Sequence, residues 1–176
     1  MNIRIVQNDI LQAPENIIAH QVNSQNIKAK GLAKKVWKKW PEGYAAFMAY
    51  TRTADPNQLL GKMQIVSIND TQTKFIANLF GQLGAGNDGV QYTQYPALQE
   101  SLIQLREYAL EKYFNIAIPY GIGCGLGGGS WNFVSGMIED IFKDCSDIVT
   151  IYQLPQKRGF LYRLLGMGSS SQIQKE

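Results

Sequence analysis

Residues 116–131 read IAIPYGIGCGLGGGSW, with six glycines among the nine residues from Gly121 to Gly129. The run IAIPY is short, apolar and rich in β-branched side chains, the pattern of a strand buried on both faces. After the glycines, Val134, Met137, Ile138, Ile141 and Phe142 recur at spacings of three and four, the stripe of an amphipathic helix, with Ser130 as its N-cap. A strand, a bare loop and a helix in that order bring backbone N–H groups close to a ligand. The helix N-terminus adds about half a positive charge. The loop is therefore read as an anion cradle, against the simpler reading of a flexible connection. No G-K-[ST] closes it, so it is not a P-loop, and it lies too late in the chain for the dinucleotide fingerprint of a first strand–helix unit.

Outward from this stretch, β-branched runs at 3–6, 17–22, 63–68, 75–80, 116–120 and 148–152 read as strands. Helical patterns lie between them. One runs from Leu32 to about Tyr50 and is broken by Pro41; another starts near Pro96 and puts Leu98, Leu102, Leu105 and Ala109 on one face. Strands alternating with helices predict an α/β sheet covered on both sides, with ligands where strands hand over to helices. The domain is expected to span 1–154. Residues 155–176 mix Lys157, Arg158 and Arg163 with Phe160, Leu161, Leu164 and Leu165, and read as a packed helix, a partner or membrane-surface contact, or a loose extension.

The chain of 176 residues is long enough for one domain with a real core, and its net charge of +3 falls short of a dedicated nucleic-acid binder. Lys34, Lys35, Lys38 and Lys39 in KKVWKKW read as the solvated face of a helix, with Val36 and Trp40 turned inward. Two cysteines, Cys124 and Cys145, suggest neither a disulfide framework nor a metal cluster. No metal or cofactor is expected. A first stretch that alternates like a strand, without a signal-peptide centre or a membrane-length apolar run, predicts a cytoplasmic protein with no membrane span.

PYGIGCGLGGGSW followed by NFVSGMIEDIF, with IAHQVNSQNIKAKGLAKKVWKKWPEGY near the start and IVTIYQL near 154, resembles the macrodomain family. The branch it resembles contains the vertebrate terminal ADP-ribose glycohydrolase, macrodomain antitoxins that remove ADP-ribose from DNA, the yeast ADP-ribose 1''-phosphate phosphatase and many phage proteins. The resemblance implies a three-layer α/β/α fold on a mixed sheet of roughly six strands, and ADP-ribose or a derivative as ligand. It places Asp9 and Ile10 at the adenine, with Tyr152 as a flanking ring, and Asn23 at the distal ribose. It also places Gly31 at the end of a first phosphate loop, and Ile122, Gly123, Cys124, Gly125, Leu126 and Gly127 around the diphosphate. Relatives carry a further glycine two positions before Gly31, whereas this chain reads Lys28, Ala29, Lys30.

Glycohydrolases of the branch use a lysine and an aspartate at the positions of Gln82 and Gly127. An amide cannot form the covalent amine adduct and a glycine cannot serve as acid or base, so that mechanism is not expected unless Lys28 or Lys30 replaces the lysine. The sole histidine, His20, matches one in the yeast phosphatase, three residues before the ribose asparagine. This implies hydrolysis of ADP-ribose 1''-phosphate with His20 and Asn23 as catalytic residues, His20 assisting water attack or protonating the leaving group. The alternatives are a non-catalytic ADP-ribose-binding module and a histidine bonded inside the sheet. On one strand His20 and Asn23 fall on opposite faces unless a bulge re-aims one. Asp88, the carboxylate of the second glycine-rich segment 81–92, is a candidate for the missing acid or base, or an ordinary turn residue.

Overall fold

Each of the six β-branched runs forms a strand within a residue or two of its expected bounds in a computed structural model, which describes residues 3–27, 29–86 and 88–155. In chain order the main elements are β1 (Arg4–Gln7), β2 (Ile17–Asn23), α1 (Gly31–Lys39), α2 (Pro41–Thr51), α3 (Pro56–Leu59), β3 (Met63–Ser67), β4 (Phe75–Gln82), α4 (Tyr95–Lys112), β5 (Ile116–Pro119), α5 (Trp131–Phe142) and β6 (Val149–Gln153). Single 3-10 turns cover Ile10–Gln12 and Ser146–Ile148. The expected extension lies outside the described residues from 156 onward. Among the described residues no helix is long and apolar enough to cross a membrane.

The sheet runs β1-β6-β5-β2-β4-β3, parallel throughout except for the antiparallel β3–β4 pair. Alternation along the strands divides the core into two layers. Ile17, Ala19, Leu79, Ile116 and Ile118 face α4 and α5, where Leu98, Leu102, Leu105, Ala109, Val134 and Ile138 meet them. Val22, Ile76 and Phe80 face Val36, Trp37, Phe47 and Leu59 of α1 to α3 on the other side. The result is the expected three-layer α/β/α arrangement on a mixed six-stranded sheet.

Two local expectations are refined. Trp37, only 9% exposed, is the more deeply buried ring of α1, while Trp40, half-buried, packs against the core from the end of the helix. The helix ends at Trp40, whose backbone (φ −129°, ψ 83°) leaves the helical face before Pro41 opens α2, so the inner stripe is Ala33, Val36 and Trp37. Ser130 does occupy the N-cap of α5, but its hydroxyl makes no capping bond. Its backbone N–H instead donates to the Tyr95 hydroxyl at 2.8 Å, tying the glycine loop to the start of α4. Lys34, Lys35, Lys38 and Lys39 are exposed, as a solvated face requires.

Tyr152 is buried with Ile10, Ala13, Ile18 and Ala117, and its hydroxyl donates to Glu15 at 2.7 Å. Tyr152→Phe is expected to cost about 1 kcal/mol, the net worth of one hydrogen bond with a charged partner partly open to water. Urea unfolding of the variant checks this; an unchanged midpoint would mean the bond contributes nothing.

Candidate functional site

β2 and β5 lie side by side but pair only at Ile17↔Ile116 and Ile18↔Ala117, after which they part. Pro119, with no N–H, ends β5 where the split widens. The chain leaves β2 toward α1 on one face and β5 toward α5 on the other, so the gap sits at a reversal of connection direction, where α/β sheets bind ligands. A cavity of about 580 Å³ fills the gap. Its walls are β2 from His20 to Asn23, the first turn of α1 with Ala29 and Lys30, Gln82, Ala85 and Gly86 after β4, and the loop after β5, with Trp37 and Phe47 from the helical layer.

The loop after β5 is held by its own backbone. Gly121, Gly123 and Gly128 adopt φ of +72°, +74° and +71°, the left-handed region that side chains disfavour. Cys124 N–H donates to Gly121, Gly128 N–H to Gly125 and Gly129 N–H to Gly123. Among the described residues no acceptor takes the N–H groups of Gly123, Gly125, Leu126 or Gly127, all of which line the cavity. The N-cap of α1, Lys30, makes no side-chain cap, and the first-turn residues Gly31, Leu32 and Ala33 also line the cavity. Residues with orphan N–H groups, from a loop and from a helix start, thus line one space. Lys30 supplies a formal positive charge there, and no Asp or Glu is among the lining residues.

The floor beside Gly127 is a neutral cluster. Gln21 Nε2 donates to Thr93 Oγ1 at 2.9 Å and to Gln82 Oε1 at 3.2 Å; Thr93 Oγ1 donates to the Gly123 carbonyl at 2.7 Å. Gln82 Nε2 is committed to the Gly84 carbonyl at 2.8 Å. A Cβ at Gly127 would stand 2.3 Å from Thr93 Oγ1 and 2.7 Å from the Gly123 carbonyl oxygen. An acid at this position has no room.

His20 is 1% exposed, and its tautomer is fixed by a chain of polar groups. The Ala46 carbonyl accepts from Gln64 Nε2 (3.0 Å), Gln64 Oε1 from Asn78 Nδ2 (2.9 Å), and Asn78 Oδ1 from His20 Nε2 (2.7 Å). Because a carbonyl at the far end can only accept, Nε2 carries the proton and Nδ1 is a bare lone pair. Burial lowers the pKa of His20 to about 4, against a smaller opposing effect of the Asn78 bond. Near neutral pH the ring can accept a proton at Nδ1 and has none of its own to give there, which suits assistance of water attack better than protonation of a leaving group.

The structure gathers His20, Asn23, Gly31, Ile122, Gly123, Gly125, Leu126 and Gly127 around the cavity. A register shift against β4 between Gln21 and Asn23 accompanies the common placement of His20 and Asn23, as their odd spacing required. Cys124 belongs to the loop but not to the cavity lining; its Sγ donates to the Ile122 carbonyl. Asp9, Ile10 and Tyr152 also stand outside the lining. Asp9 caps the 3-10 turn by accepting from Leu11 N–H, while the Tyr152 carbonyl accepts from Tyr120 N–H of the cavity wall at 2.8 Å. Asp88 is exposed, outside the lining and held by the Tyr92 hydroxyl and Val90 N–H, contacts that keep its carboxyl below the usual range. Lys28 lies outside the described residues. Sequence reasoning missed Gln21, Thr93 and Trp37. A polar residue between His20 and Val22 in a buried strand was a signal for Gln21; Thr93 had none.

No protein-family model matches the chain. Its fold is that of a macrodomain protein from Streptomyces coelicolor, with 28% sequence identity, a TM-score of 0.69, and a match spanning 87% of this chain and 99% of that one. The chain has the macrodomain fold. The chain also resembles in fold the DarTG protein of Thermosipho africanus, solved in complex with ADP-ribose, at 20% identity and a TM-score of 0.69; the match covers 86% of this chain and 41% of that one. Among curated proteins it matches polyprotein P1234 of Barmah forest virus, 27% identical over 71 residues, which is 40% of this chain and 3% of the polyprotein.

Proposed function

We propose that this macrodomain binds ADP-ribose or a derivative of it. The observation that carries the reading is the set of unclaimed N–H groups at Gly123, Gly125, Leu126 and Gly127, in residues that line a cavity together with the start of α1 and with no Asp or Glu among its described lining residues. A diphosphate satisfies such groups without a metal or a lysine clamp. In this reading the diphosphate lies along Ile122, Gly123, Cys124, Gly125, Leu126 and Gly127, and the distal ribose meets Asn23 and Gly31. The adenine extends past Tyr120 toward Asp9, Ile10 and Tyr152. The complex of the Thermosipho protein with ADP-ribose supports the choice of nucleotide. Calorimetric titration with ADP-ribose tests it: saturable heat at micromolar concentration is expected, and none would end the reading.

A non-catalytic module is the better supported form, because Gln82 and the closed position at Gly127 offer neither nucleophile nor acid. One observation favours a second reading, hydrolysis of ADP-ribose 1''-phosphate: the free lone pair of His20 Nδ1 belongs to a wall residue three positions from Asn23. There, water oxygen would bond to phosphorus as its proton moves to Nδ1. The bond from phosphorus to the ribose oxygen would break, and solvent would protonate that oxygen. Burial makes Nδ1 a weak base, which ranks this reading second. Phosphate release that His20→Gln abolishes would establish it; binding without release leaves the module.

A further inference from the structure

Four buried side-chain polar atoms among the described residues have no hydrogen-bond partner: His20 Nδ1, Gln21 Oε1, Trp37 Nε1 and Arg106 Nε. The first three belong to residues that line the cavity between β2 and β5. Most buried polar groups are paired and an orphan is costly, so three in one wall mark groups that a ligand completes. Two of them adjoin. The His20 and Trp37 rings meet edge to face with centroids 6.0 Å apart, and Trp37 also lies against Phe47, 4.5 Å between centroids. Nδ1 is a fixed acceptor through the Asn78–Gln64–Ala46 chain, and an indole N–H can only donate.

We propose that His20, Trp37, Phe47 and Val22 form a separate subsite in the deep wall of the cavity, which takes a small, uncharged, flat group carrying an adjacent N–H donor and acceptor, the chemistry of a carboxamide or an aminated ring edge. The donor of the group meets His20 Nδ1 and its acceptor meets Trp37 Nε1–H. Phe47 and Val22 supply apolar walls that disfavour a charged group. The subsite stands on these atoms whether or not a nucleotide occupies the loops, and it goes beyond the diphosphate cradle. Such a group has two sources: a substituent of an ADP-ribose derivative, or a second molecule beside the nucleotide.

The probe is benzamide, titrated into the intact protein while the indole N–H resonance of Trp37 is followed by nitrogen-15 NMR, with Trp37→Phe assigning the signal. The expected result is a saturable shift with a dissociation constant of about 1 mM, usual for so small a ligand. Methyl benzoate, which lacks the donor, should bind at least about fivefold more weakly to the same wild-type protein. Trp37→Phe, which keeps a six-membered ring but removes the pyrrole ring and its donor, should weaken benzamide at least as much. No shift of the Trp37 signal, or equal binding of benzamide and methyl benzoate, overturns the subsite. Benzamide binding without ADP-ribose binding keeps the subsite and removes the nucleotide reading. Displacement of benzamide by saturating ADP-ribose overturns a subsite separate from the nucleotide's own, and simultaneous binding supports it.

Discussion

Gly125→Val should weaken ADP-ribose binding about 100-fold with no loss of fold, the worth of about two lost hydrogen bonds to charged oxygens. Gly125 is the loop position where fold and ligand requirements separate. A Cβ there meets nothing within 4 Å, and its φ lies outside the left-handed region. Its N–H is nevertheless among the unclaimed donors that line the cavity, so a side chain intrudes on the ligand alone. Gly128→Ala is the contrasting variant. Gly128 has φ of +71°, and a Cβ would come 2.8 Å from the Val90 carbonyl oxygen and 3.1 Å from Gln91 Cα. Backbone strain and a clash with backbone should together cost about 2–4 kcal/mol of stability. Calorimetry and urea unfolding on both variants separate the effects. Wild-type affinity in Gly125→Val would remove the loop from binding, and a wild-type midpoint in Gly128→Ala would remove the loop's contact with residues 90 and 91 from the fold.

Stability should fall by up to about 3 kcal/mol through His20 alone as the pH drops from 6.5 to 4. The folded pKa, lowered to about 4 by burial, lies below the ordinary value of 6.5. Between those values the unfolded chain binds the proton and the folded chain does not, so acid favours unfolding. The contribution is whole above pH 6.5 and is progressively lost toward pH 4. His20→Gln retains a donor for Asn78 and removes the titration. Urea midpoints at pH 7 and 4.5 should therefore converge for this variant relative to wild type. Equal pH dependence in both would show that His20 is not held buried and neutral in solution.

The six strands and four of the helices were legible because each carries its own periodicity over several residues. α3, a single turn from Pro56 to Leu59, is too short to show any. Trp37 was missed because the phase of a helix stripe is lost at a break, and the break falls on Trp40, which packs against the core less deeply. The glycine loop was readable from composition, since the left-handed turns at Gly121, Gly123 and Gly128 need that residue. The cluster of Gln21, Gln82 and Thr93 was not: its members are 72 positions apart at the extremes and meet only through tertiary structure. The placement of Asn23 with His20 depended likewise on a register shift that no local pattern announces.

The short pairing of β2 with β5 has a thermodynamic side. Had the two strands stayed together beyond Ile18 and Ala117, a few more ladder hydrogen bonds would have formed, each worth about 1 kcal/mol net, and the cavity would not exist. The sheet forgoes those rungs at its centre, between one half made of β1, β6 and β5 and another made of β2, β4 and β3. The site is a deliberate omission in the strongest part of the architecture, and whatever fills it bridges the two halves where the backbone does not.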